Sequence, residues 1–315
     1  MTHFLIQIVA PYFDEITGNA TPWLLHLEPW LDGQPMLKAP TRVRYKAEVV
    51  DFGKAHKGLT VESLTFDLAQ AWARARMIAH KDEASTLKRR LAALRSYWAF
   101  LVVIKAADRL TQPFTALVLP ARQKEARATR AEFSPAQVVA LHAAALAQGD
   151  QDMADLILMG AFTGGRIEEL CKLTTKDWDT AQGTVRLDSK TDAGRRDVPV
   201  LPALETLLTR LASKSPVGGT LLPKKTTKAD RRLSQPYSEA FSILKTSQGH
   251  DEALVFHSLR KTVATRLKNA GCPETIAADV LGHKVKTMSY GVYAGGSDLD
   301  VRRTWMAQAL VYPWG

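Results

Sequence analysis

Cysteine is scarce in this sequence. Cys171 and Cys272 are the two in 315 residues, and neither stands at metal-ligand spacing from another cysteine or a histidine. That excludes a disulfide scaffold and a thiolate metal site, and leaves two buried, reduced thiols inside predicted helices. Long apolar runs are missing too. Nothing approaches the roughly 20 residues that cross a bilayer, and the short apolar stretch Met1–Ala10 has no basic region ahead of it, so it does not read as a signal peptide. Internal repeats, low-complexity tracts and clusters of carboxylates or histidines suited to Mg²⁺ or Zn²⁺ are likewise missing. These gaps predict a cytoplasmic globular protein that works without metal or other cofactor.

What is present is positive charge. The 42 Lys and Arg outnumber the 32 Asp and Glu for a net +10, in a chain of ordinary globular composition, 46% hydrophobic and 23% charged. Such a surplus favours a polyanionic partner. An anionic membrane fits less well than nucleic acid, because the basic residues are not gathered on one membrane-facing helix.

The length allows two domains. Residues 1–40, broken by Pro11, Pro22, Pro29, Pro35 and Pro40 between aromatic residues, read as an arm of uncertain role. From Thr41 the periodicity turns helical, with Val43, Ala47 and Val50 in register, then Leu64, Leu68, Ala71, Trp72 and Ala75. A third stripe follows at Leu87, Leu91, Leu94, Trp98, Leu101 and Ile104. The spacing predicts a helical bundle over 41–118. Lys88, Arg89, Arg90 and Arg95 lie off the last stripe, as a surface that follows a phosphate backbone would need.

Residues 119–132 form a basic linker, and Ser134-Pro135 opens a second domain over 133–297 as N-cap and first helical residue. The run Asp152–Phe162 is apolar on nearly all sides and should be a central helix. Thr184–Leu187 and Val198–Val200 flank Asp192-Ala-Gly194 as a hairpin, and a basic loop carries Lys224, Lys225 and Arg231. A helix from His257 stops at Gly271, and another runs from Pro273 to Leu281. The tail, 298–315, holds a short helix with Val301, Trp305 and Ala309 in line. The fold class is therefore mainly α with a small β-hairpin, a helical bundle followed by an α+β domain.

Five segments of the second domain carry residues suited to phosphodiester chemistry. Attack on phosphorus builds negative charge on the non-bridging oxygens. Arg166, in Thr163-Gly-Gly-Arg-Ile-Glu-Glu-Leu170, and Arg260, in His257-Ser-Leu-Arg-Lys261, can meet that charge with a two-pronged grip. His257 lies three residues before Arg260, on one helix face. His283 follows Gly282 and can donate to the same phosphate. Lys190, in the hairpin, can protonate a departing oxygen. A tyrosine, Tyr293 or Tyr290, is the nucleophile, and positive surroundings would favour its phenolate.

In order and spacing, Arg166, Lys190, His257-Ser-Leu-Arg260 and Leu281-Gly-His283 followed by a tyrosine resemble the tyrosine recombinases of the phage integrase type, over residues 133–293. The resemblance implies a core-binding bundle followed by a catalytic domain, and a site-specific DNA recombinase. It implies that Arg166, Lys190, His257, Arg260 and His283 surround the scissile phosphate while Tyr293 forms a 3′-phosphotyrosyl bond. Glu169 would orient the pocket. Many members place the nucleophile one residue sooner after the last histidine; here that position, 292, is Val. The resemblance further implies a homotetramer on double-stranded DNA, with the tail docked on a neighbouring protomer. A type IB topoisomerase-like enzyme and an inactive DNA-binding accessory protein are the competing expectations.

Overall fold

The computed structural model of the chain describes residues 20–119, 131–188, 194–226, 232–283 and 296–314. The chain divides into two compact units, Met1–Glu125 and Ala126–Gly315. It is mainly helical with one small sheet.

In the first unit, α1 (Leu27–Asp32), α2 (Ala39–Ala55), α3 (Phe66–Ile78) and α4 (Ala84–Val103) enclose one core. The third apolar stripe behaves as its spacing predicts: Leu87, Leu91, Leu94, Trp98 and Leu101 are all buried. Helix α3 begins only at Phe66, because the Thr65 hydroxyl caps it by accepting from Leu68 N at 3.2 Å. Helix α2 departs further from expectation. It starts before Thr41, with Pro40 in its first turn, and turns Val49 and Phe52 inward while Val43 is exposed.

The described part of the 1–40 stretch does not stand off as an arm. Trp23 and Trp30 are among the most buried side chains of the unit. Trp23 Nε1 donates to Val49 O at 3.0 Å, and Tyr97 Oη donates to Trp23 O at 2.6 Å. The Trp23 and Tyr97 rings meet edge to face with centroids 4.9 Å apart. Burial pushes the Tyr97 phenol up to about 12. The prolines interrupt periodicity, yet the aromatic residues between them supply core volume.

The second unit opens with α5 (Pro135–Ala147) behind a reciprocal cap: Gln137 N donates to Ser134 Oγ at 3.2 Å and Ser134 N to Gln137 Oε1 at 2.8 Å. Helix α6 (Gln151–Thr163) is buried at every position from Met153 to Thr163 except Leu158, and forms the centre. After α7 (Ile167–Lys172) comes an antiparallel sheet of β1 (Trp178–Asp179), β2 (Thr184–Leu187) and β3 (Arg196–Pro199), in that order, with Leu187 opposite Arg196. Two-residue β1 gives no alternation to read, so it extends the expected hairpin into three strands. Helices α8 (Pro202–Lys214), α9 (Ser234–Ser247), α10 (His257–Asn269), α11 (Glu274–Leu281) and α12 (Leu299–Ala309) complete the unit. Cys171 and Cys272 are buried free thiols, and burial lifts Cys171 to about 12.

The tail is built into its own unit. Met306, Ala309, Leu310 and Tyr312 are buried. Arg302 Nη1 donates to Asp197 O at 2.7 Å, Arg266 Nε to Ala309 O at 2.6 Å, and Tyr312 Oη to Ala161 O at 2.9 Å. Val301, the head of the stripe assigned to a neighbouring protomer, is instead 41% exposed.

Candidate active site

The floor is Arg260. It lies one turn into α10 and is 3% exposed. Its Nη1 donates to Gly164 O at 2.9 Å and its Nη2 to Leu281 O. Those carbonyls end α6 and α11, where the last C=O groups of a helix have no partner within it. One guanidinium thus closes two helix ends and is aimed by them. Gly164 makes this possible: at φ +62 a Cβ there would lie 2.8 Å from Leu281 Cδ2.

Glu169 is the hinge of the site. This buried carboxylate sits in the first turn of α7 and accepts from Arg166 N at 3.0 Å through Oε2 and from Arg166 Nη1 at 2.6 Å through Oε1. Arg166 is thereby held at the N-cap with its side chain 39% exposed. Glu169, expected to orient the pocket, grips Arg166 through both backbone and side chain. A second cation reaches the same carboxylate: Arg196 Nη2 lies 3.3 Å from Oε2. Arg186, Arg195 and Arg196 are the other arginines of the sheet and hairpin. Arg186 pairs with Asp197 at 2.9 Å and Arg195 with Asp188 at 3.0 Å, whereas Arg196 points into the protein.

His257 is the first residue of α10, exposed beside the floor. His283 arrives through a left-handed turn at Gly282, φ +65, which folds its N–H onto Ala278 O at 2.9 Å. Burial, then the charges of Arg260, Arg166, Arg196 and His257, hold the His283 imidazole below its ordinary value. Burial, with Arg166 and Arg196 adding to it and Glu169 opposing, brings Arg260 down to about 9. That still leaves a full charge at neutral pH. Arg166 and Arg260, far apart in the chain, therefore lie close enough to each other and to His283 for their charges to act on one another, with His257 one turn before Arg260.

Lys190, Tyr290 and Tyr293 fall outside the described residues. The chain re-enters at Gly296, and Ser297 N and Oγ donate to Asp279 Oδ2 of α11 at 2.6 and 2.7 Å. Ser297 is thereby fixed to the helix that His283 follows. Among the described residues no group of three or more His, Cys, Asp or Glu is placed to hold a metal ion. No helix among them is long and apolar enough to cross a membrane.

The residues expected on DNA divide. Lys88, Arg89, Arg95 and Lys224 are exposed, with Arg89 bonded within its helix to Thr86 and Arg95 Nε to Phe114 O at 2.9 Å. Arg90 is committed inside the first unit, to Glu48 and to Asp82 at 3.0 Å. Lys225 faces Asp150 at 3.3 Å and Asp152 at 3.5 Å, and lies 4.6 Å from the Tyr237 ring centre. Arg231 is outside the described residues.

A model of the phage integrase family matches residues 132–298. The chain belongs to the phage integrase family. The tyrosine recombinase XerC of Mycobacterium sp. (strain KMS) is 31% identical over 242 residues, 72% of this chain and 77% of that protein. The prophage integrase IntF of Escherichia coli K12 is 26% identical over 151 residues, 45% of this chain and 30% of its own. Among solved structures, the Tn1549 transposon integrase in complex with a circular intermediate DNA superposes with a TM-score of 0.62 at 21% identity, over 92% of this chain and 99% of the other. A lambda integrase tetramer bound to a Holliday junction gives 0.63 at 18%, over 84% and 76%. As a family member the chain is a tyrosine-type site-specific recombinase. Sequence motifs alone pass over Arg196 as part of the pocket, although a signal is present: period-two alternation in β3 puts it on the face of Val198 rather than that of Asp197.

Proposed function

We propose that this recombinase cuts and rejoins double-stranded DNA through Tyr293, with Arg166, His257, Arg260 and His283 binding the scissile phosphate. The observation that carries the reading is that two guanidinium groups and two imidazoles stand within reach of one another's charge, beside a carboxylate, Glu169, already occupied by arginines. The pentacoordinate phosphorane gathers charge on its non-bridging oxygens, and preformed donors stabilise that charge more than the ground state. Tyr293 loses its phenolic proton to solvent and bonds to phosphorus as the bond between phosphorus and the 5′ oxygen breaks. The 5′ oxygen leaves and takes a proton from Lys190. Attack by a 5′ hydroxyl then reverses the step, and the ester energy held in the phosphotyrosine removes any need for a nucleotide cofactor.

Assembly as a tetramer is part of the proposal, with a narrower role for the tail. Met306, Ala309 and Tyr312 are committed to their own unit, so a neighbour would meet Val301 and Val311, 41% and 62% exposed. The test is a nicked suicide duplex drawn from DNA flanking the encoding gene. Wild type should give a covalent adduct on a denaturing gel, and Tyr293→Phe none while still binding. An adduct that survives in Tyr293→Phe and disappears in Tyr290→Phe transfers the role to Tyr290.

A further inference from the structure

Arg196 has no part in the chemistry above, yet it is a buried cation beside Glu169, its side chain 4% exposed. Its fork reaches in three directions. Nη2 meets Glu169 Oε2 at 3.3 Å, Nε donates to Val280 O at 2.7 Å, and Nη1 donates to Gly194 O at 2.9 Å. Its stem also packs beneath the turn that delivers His283: a Cβ on Gly282 would lie 3.0 Å from both Arg196 Cδ and Nη1. Three elements far apart in sequence, α7, the end of α11 and β3, are thus fastened by one side chain.

Burying a guanidinium is costly, and an apolar residue of similar volume often stabilises a core as well or better. Arginine offers what no apolar residue can, a rigid fan of five N–H donors. Its effect on Glu169 is specific. The carboxylate is shared, Oε1 to the Arg166 side chain and Oε2 to the Arg166 backbone and Arg196. Without Arg196, both oxygens would turn to Arg166, and a guanidinium gripped twice by a carboxylate competes poorly for phosphate.

We propose that Arg196 is a positioning residue for strand cleavage, dividing the Glu169 carboxylate so that Arg166 stays available and bracing the Gly282 turn that presents His283. It rests on the reading of Arg166 and His283 as phosphate-binding groups. Misplacing such groups by an ångström lowers rates on the order of 100-fold.

The test compares Arg196→Met, Arg196→Lys, Glu169→Gln and the double variant Arg196→Met/Glu169→Gln by single-turnover cleavage of the suicide duplex, below each variant's melting temperature. Arg196→Met should slow adduct formation roughly 10- to 100-fold with DNA affinity retained. The double variant should be slower than either single one by less than the product of their losses, because both cut the Glu169 link while the brace under Gly282 is lost only with Arg196. Losses that multiply, or wild-type cleavage by Arg196→Met, would overturn the proposal.

Proton NMR titration of the free protein reads the charge that Arg196 places near His283, with Arg196→Lys as the control for altered packing. His283 is faced by Arg260 and His257 from α10, Arg166 ahead of α7 and Arg196 from β3. Arg196→Met should shift its midpoint upward, and Arg196→Lys, which keeps the charge, should not. An unmoved midpoint in Arg196→Met counts against the proposal. If Arg196→Met does not fold, Arg196→Lys decides: slowed cleavage supports the role and wild-type cleavage overturns it. Failure of the underlying reading looks different, since Arg166→Ala would then form adduct at the wild-type rate.

Discussion

Arg166 and Arg260 feel each other's charge but are held by different forces, and their replacements should separate accordingly. Arg260→Ala leaves Gly164 O and Leu281 O without partners in a buried place, which costs about 1–3 kcal/mol of stability for each group. Arg166→Ala removes a side chain that is 39% exposed and leaves only one lobe of Glu169 unmatched. Both should raise the cleavage barrier by about 2.7–4 kcal/mol, the loss expected for one preorganised donor. Only Arg260→Ala should also lower the melting temperature markedly, and parallel single-turnover assays and thermal melts would show the split. The histidines add a pH dependence whose sign follows from burial. His283 and His142 are both held below the ordinary value, with burial the main cause in each; at His142 the charge of Asp155 opposes it. On acidification the unfolded chain takes up protons first, so ∂ΔG/∂pH is positive in that window. The stability these two residues contribute is complete above the unfolded histidine value and is lost as pH falls from there through the lower folded values. Chemical denaturation between about pH 7.5 and pH 5 should show a falling midpoint, and His283→Gln should flatten part of the slope. Bound DNA should reverse the direction for His283, because phosphate favours the imidazolium.

At the scale of elements, the first unit shows where sequence legibility ends. The α4 stripe and the Ser134-Pro135 start can be read because a cap and a period are local. Trp23 cannot, since what fixes it is Val49 and Tyr97, 26 and 74 residues away. The same holds for α12, whose stripe is visible while its partner is not: Arg266 and Ala161 claim the tail from 43 and 151 residues off. In the site, the glycines and paired arginines are legible as a set, but the three-way fastening by Arg196 depends on register between β3 and α11. Two substitutions check these placements. Trp23→Ala should destabilise the first unit by about 3–5 kcal/mol, and Met306→Ala the second by about 2–5 kcal/mol, both measured by denaturant titration. A tail lying loosely on the surface would give a far smaller value for Met306.

For the molecule as a whole, the net charge of +10 matters less than which cations are already paired. Lys88 and Arg89 are exposed on α4, so removing either should reduce the slope of log K against log salt by about 1 for DNA binding. Arg90, one residue on, is bound to Glu48 and Asp82. Arg90→Ala should instead leave the slope unchanged and lower the stability of the first unit. Affinities measured across a salt series would separate the neighbours.

The double duty of Arg260 bears on how such a protein can decay. Drift that erased the nucleophile would end recombination and leave the architecture standing, whereas loss of the guanidinium that terminates α6 and α11 would also cost the second unit stability. In descendants of this chain, an intact Arg260 is therefore a poor witness to surviving activity, and an intact Arg166 a much better one.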